Sequence, residues 1–167
     1  YFDFLNTSNI DKTGVSTSSE SYSVIGDKEV RLVIKDQNGC WDTTSNTVTV
    51  LEHPQASITT NADEGCFKGH SFDYSGGVTW VDGESSYAWT FGPDAIQSTG
   101  STQNISAIKY KTYGIKTAQF IAKDVNSCSD TANYEVELFP QATPVIILST
   151  DSICLKGNQV DFSENST

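Results

Sequence analysis

The residues of this chain best suited to chemistry are its four cysteines, and their spacing narrows what that chemistry is. Cys40 and Cys128 stand 88 residues apart, and so do Cys66 and Cys154. None belongs to a Cys-x-x-Cys pair, and neither histidine, His53 or His70, partners one of them. Thiols at repeated positions without such partners point to disulfides rather than zinc, and so to an oxidising compartment. Two pairings respect the period: Cys66 with Cys128 inside one unit, or Cys40 with Cys66 and Cys128 with Cys154 between units. Spacing alone leaves both open. The histidines lie in no catalytic spacing with a Ser, Cys or carboxylate, and the pairs Asp82/Glu84 and Asp63/Glu64 sit in loops without a general-acid context, so an enzyme is not expected. No motif asks for a cofactor. Calcium is the one metal candidate, through the hard oxygens of Asp73, Asp82, Glu84 and Asp94, although no EF-hand spacing exists. Trp80, beyond Gly76-Gly77, is the aromatic expected to stack on a glycan if any does.

The cysteines are parts of longer repeated stretches. Lys35-Asp36-Gln37-Asn38-Gly39-Cys40-Trp41-Asp42-Thr43 returns as Lys123-Asp124-Val125-Asn126-Ser127-Cys128-Ser129-Asp130-Thr131, and Cys66-Phe67-Lys68-Gly69 returns as Cys154-Leu155-Lys156-Gly157. An internal repeat outranks other signals. It divides the chain into a C-terminal part of one unit (1–52), a complete unit (53–141) and an N-terminal part of a third (142–167). The chain therefore reads as an excerpt of something longer, out of phase with its own units.

Ten Lys plus Arg against 21 Asp plus Glu give a formal net charge of -11 and a pI near 4.3. That balance repels nucleic acid and anionic membrane surfaces. No apolar run approaches the roughly 18 residues of a membrane span; Val145-Ile146-Ile147-Leu148 is strand-sized. Period-two patterns predict strands throughout: Val30, Leu32 and Ile34 on one face, Thr47 to Val50 as the hairpin partner across Asn38-Gly39, Ala56 to Thr60 as a first strand, and Tyr134 to Leu138 as a last one. His70 to Tyr74 alternates and is expected to break at Gly76-Gly77. Tyr87, Trp89 and Phe91 share a core face, and the polar stretch from Gln97 to Ser106 is expected to be loop. Five or six short strands in about 88 residues indicate an all-β, two-sheet sandwich.

Within that frame, the aromatic-x-Phe-Gly-x-Asp run from Trp89 to Asp94, the Tyr-x-x-x-Gly run from Tyr110 to Gly114 and the strand ending in Lys-Asp-x-Asn-x-Cys-x-Asp resemble the polycystic kidney disease (PKD) domain, an immunoglobulin-like β-sandwich. Thr90 and Pro93 depart from that family's usual pattern. The cysteine-bearing version is similar to tandem repeats in large surface proteins of gliding bacteria that use type IX secretion, where such modules serve as adhesin or stalk segments. The resemblance implies an extracellular, cell-surface location and a semi-rigid spacer, with neighbouring repeats of the same polypeptide as partners. Surface glycans or other cell-surface proteins are the alternative partners, and an accessory domain of a secreted hydrolase is a further alternative. Immunoglobulin-like topology also favours Cys66 with Cys128, by running a kinked first strand beside the last one. Asn6, Asn104 and Asn165 stand in Asn-x-Ser/Thr sequons, and Asp130-Thr131-Ala132 and Asp151-Ser152-Ile153 resemble O-glycosylation sites of those bacteria.

Overall fold

The computed structural model describes residues 2–3, 14 and 17–167. The Asn6 sequon and Phe4, the end of the expected first strand, lie outside the described residues. The strands are β1 (Phe2–Asp3), β2 (Gly26–Lys35), β3 (Trp41–Val50), β4 (Gln55–Thr60), β5 (Glu64–Cys66), β6 (Phe72–Thr79), β7 (Glu84–Thr90), β8 (Thr99–Gly100), β9 (Asn104–Ile108), β10 (Gly114–Asp124), β11 (Ser129–Phe139), β12 (Ile146–Leu148) and β13 (Phe162–Glu164). Among the described residues there is no helix, and none long and apolar enough to cross a membrane.

Strands β4 to β11 form two sheets, one in the order β4-β6-β9 and one in the order β5-β11-β10-β7-β8. Apolar residues from both meet in one core: Ile58, Phe72, Tyr74, Ile105 and Ile108 from the first; Trp89, Ala118, Phe120, Ala122, Val136 and Leu138 from the second. The fold is all-β and sandwich-like, and the whole core cluster lies between residues 58 and 138. Residues 53–140 thus carry a complete core with both of its walls.

The aromatics set how closely the sheets approach. Trp89 and Phe120 have ring centroids 4.5 Å apart, Trp89 and Phe91 stack at 5.6 Å, and the indole N–H of Trp89 donates to the Thr102 carbonyl at 2.8 Å. A buried indole needs that acceptor. Tyr87, expected on the same face, is only half-buried and stacks on Phe120 from the side. Gly76 and Gly77 do not break β6; the strand runs through them to Thr79. The reason is steric: a Cβ on Gly76 would lie 2.3 Å from the Phe120 ring. The stretch from Gln97 to Ser106 is likewise not all loop, for it holds β8 and the start of β9, which carries Ile105 and Ile108 into the core.

Pairs of strands 88 residues apart share one register. Gly26 faces Val50 and Lys35 faces Trp41 across β2 and β3, as Gly114 faces Leu138 and Lys123 faces Ser129 across β10 and β11. Ile146 faces Glu164 across β12 and β13, as Ile58 faces Gly76 across β4 and β6. The inner face of β10 is Lys116, Ala118, Phe120, Ala122 and Asp124, all buried. In β2 the matching apolar residues are less covered: Val30 and Leu32 are half-buried, and Ile34 is 60% exposed while Val33 is buried.

The two glycines of β6 separate backbone effects from packing. Gly76→Ala is expected to cost about 1–3 kcal/mol by forcing Phe120 off its position. Gly77→Ala, whose Cβ would meet only the Ser57 side chain, its hydroxyl at 2.4 Å, should cost clearly less, since that hydroxyl can rotate away. Urea denaturation of the three proteins checks the order.

Candidate functional site

The Asp-x-Asn-x-Cys stretches are hairpin turns, and one carboxylate organises each. Asp124 Oδ1 accepts the backbone N–H groups of Asn126 and Cys128, each at 2.9 Å, and Asp36 Oδ1 accepts those of Asn38 and Cys40 at 2.9 and 2.8 Å. Backbone bonds from Ser127 to Asp124 and from Gly39 to Asp36 close the two turns at the same position. The residue before each cysteine takes positive φ, 74° at Ser127 and 90° at Gly39, a conformation that glycine adopts without strain. Asp124 is 1% exposed, and its Oδ2 has no hydrogen-bond partner among the described residues.

The structure does not bring Cys66 and Cys128 together. The first strand is indeed kinked: β4 pairs with β6, and its continuation β5 moves to the other sheet beside β11. That pairing is parallel, however, and sets Cys66 opposite Phe139, the last residue of β11. Cys128 immediately precedes the first residue of the same strand. Eleven residues of extended chain, roughly 36 Å, separate the two ends, whereas a disulfide holds its Cα atoms within about 7 Å. The expected Cys66–Cys128 bridge is therefore corrected by register. All four cysteines are unbridged; Cys40, Cys66 and Cys154 are exposed and Cys128 is half-buried.

The four calcium candidates do not converge. Asp82 and Glu84 lie by the β10–β11 turn, where Asp82 accepts from the Asn126 side-chain amide at 3.1 Å and Glu84 faces Asp124. Asp73 and Asp94 belong to the opposite end. Asp73 accepts the N–H of Ala107, a residue held at positive φ, at 2.8 Å. Asp94 Oδ2 accepts from both the Lys116 ammonium and the Thr112 hydroxyl. Among the described residues no group of three His, Cys, Asp or Glu side chains could hold a metal ion. Burial pushes the Asp94 carboxyl upward, but its bonds to Lys116 and Thr112 outweigh that and hold it below the usual carboxylate range. Lys116 is 8% exposed and also lies over the Tyr110 ring.

His70 has a structural part that its sequence context did not reveal. Its Nδ1 donates to the Phe67 carbonyl at 2.6 Å and its Nε2 accepts the Tyr110 N–H at 2.7 Å, which requires the neutral ring protonated on Nδ1. It stacks between Phe67 and Tyr110 and ties the loop after Cys66 to the strand-like segment before β10. His53 bonds the Pro54 carbonyl, at the junction between β3 and β4. Trp80 is half-buried and packs against Tyr87 at 5.9 Å, so much of its ring is already occupied. Trp41 is 70% exposed at the start of β3, beside an open hollow of about 330 Å³ lined by Ile34, Lys35, Asp36, Cys40 and Asp42. Of the sequons, Asn104 accepts from the Ser75 hydroxyl at 2.6 Å, while Asn165 is exposed. Asp130 binds the Ala56 N–H at 2.8 Å, and that bond, with one from Thr131, lowers its pKa. Compared with known proteins, the chain matches no family model and no curated sequence.

Asp94→Asn tests the Lys116 pair through pH. A carboxylate with a depressed pKa contributes stability that is present above the unfolded value of about 3.9 and is lost as pH falls through the lower folded value. The variant should be less stable than the wild type at pH 7 by about 1–3 kcal/mol, leaving a buried ammonium short of its partner. The gap should close as pH falls below the ordinary carboxylate range, as read from urea midpoints between pH 7 and 2.

Proposed function

We propose that this chain is a non-catalytic segment of tandem PKD-type, immunoglobulin-like sandwiches that works as a semi-rigid stalk or spacer of a secreted or cell-surface protein. The supporting observation is the common register at 88 residues, carried by two different strand pairs and by the carboxylate-closed turns. The proposed units are 1–52, 53–141 and 142–167, the first and third incomplete. A unit begins at β4, beside the β10–β11 turn, and ends at Phe139, at the far end of β11. Because those ends are opposite poles, successive units extend the chain instead of doubling it back. The junction between β3 and β4 is only residues 51–54, and its Pro54 is fully buried, which limits bending. The acidic balance discourages lateral association of such rods. The partners in this reading are neighbouring repeats of the same polypeptide, and the location is extracellular.

Concatemers of residues 53–140, which hold the 88-residue phase, give the test. Small-angle scattering should show the maximum dimension rising by roughly 40 Å for each added unit, in proportion to unit number. Compact particles growing only as the cube root of mass would refute the spacer reading.

A further inference from the structure

We propose that the cysteines join successive units: the β5 cysteine of one unit bonds the hairpin-turn cysteine of the unit that follows. The inference rests on the tandem reading above. In a unit like 53–140 the leading pole is where the chain arrives and the trailing pole is where it leaves. Cys66 is at the trailing pole, opposite Phe139 and next to Phe67, whose N–H bonds the Phe139 carbonyl at 2.9 Å. Cys128 is at the leading pole, two residues before Asp130, which holds the N–H of Ala56 at the start of β4. Each cysteine therefore flanks a point where the chain passes from one unit to the next.

The junction is short enough to bring two such poles together. From Val50, the end of β3, to Gln55, the start of β4, the chain takes five steps and reaches at most about 18 Å. Leu51 is the counterpart of Phe139 at the 88-residue period, so a β5 cysteine placed beside it in a repeating chain would face the Cys128 turn across that gap. The three pairings that respect the 88-residue period fare worse. Cys66 and Cys128 are a strand length apart. Cys40 lies at the end of the β2–β3 hairpin away from the junction, and Cys66 lies at the far pole of the next unit, so they meet only if the units fold back side by side. The same holds for Cys128 with Cys154. Exposure of Cys66 and the fixed backbone of the Cys128 turn suit bridging across an end-to-end contact.

The chemistry needs an oxidant of the disulfide class. Two thiols lose two protons and two electrons, one S–S bond forms, and the oxidant's own disulfide is reduced to two thiols. Glutathione disulfide serves as the probe. In a two-unit concatemer of residues 53–140, the expected result is one bridge and the loss of two of the four thiols. Cys66→Ser in the first copy should abolish it, while Cys66→Ser in the second copy leaves it intact. In the 167-residue chain itself, non-reducing peptide mapping should recover no Cys66–Cys128, Cys40–Cys66 or Cys128–Cys154 peptide. The proposal is overturned if no bridge forms in the concatemer, if either copy closes Cys66 on its own Cys128, or if the second-copy Cys66 is the one consumed. Scattering from the all-serine concatemer reports separately on the rod. An extended particle without a bridge sinks only the disulfide; a folded-back particle sinks the spacer reading.

Discussion

Phe120 presses so closely on Gly76 that not one carbon fits between them, and the spacing of the two sheets follows from that contact. With Phe120 seated, its neighbour Trp89 is sealed from water and must give its indole N–H to a protein acceptor. The Thr102 carbonyl supplies it, which draws the segment between β8 and β9 over the open edge of the sheet. Gly100 is needed on the same path, because a Cβ there would meet Ile105 at 2.4 Å. One absent side chain in β6 thus fixes where an edge loop on the opposite sheet must lie.

The inner face of β10 shows how such a small sandwich ends. Its apolar centre, Ala118 to Ala122, is bracketed by Lys116 toward one pole and Asp124 toward the other, both buried. Both reach polar partners at their own pole, although Asp124 Oδ2 has none among the described residues. Lys116 reaches Asp94, Thr112 and the Tyr110 ring, and Asp124 spends one oxygen on two backbone N–H groups of the turn. The poles are polar structures built to stop the sheet, and this is where the acidic residues that looked like ligands are employed.

Much of this was legible in the chain itself. The 88-residue period, the hairpin at Asn38-Gly39 and the core role of Trp89 and Phe91 follow from alternation and turn chemistry, which are local. What was not legible is non-local. The direction in which Glu64 to Cys66 pairs with β11 depends on a strand crossing from one sheet to the other, and no residue in that segment announces parallel pairing. The continuity of β6 through two glycines depends on a ring 44 residues away. His70 looked idle because both of its partners are backbone atoms, which have no sequence signature.

The parallel pairing of β5 with β11 has a mechanical consequence. A unit held at its two ends is pulled at β4 and at Phe139, so tension slides β5 and β11 past one another along their lengths. The bonds between them, including Glu137 to Asp63 and Phe67 to Phe139, then bear load together rather than one after another. The β10–β11 hairpin, by contrast, lies off that path. Resistance to forced extension is governed by the rate of the first rupture, and on this path a strand of three residues is sheared against the last strand of the sheet.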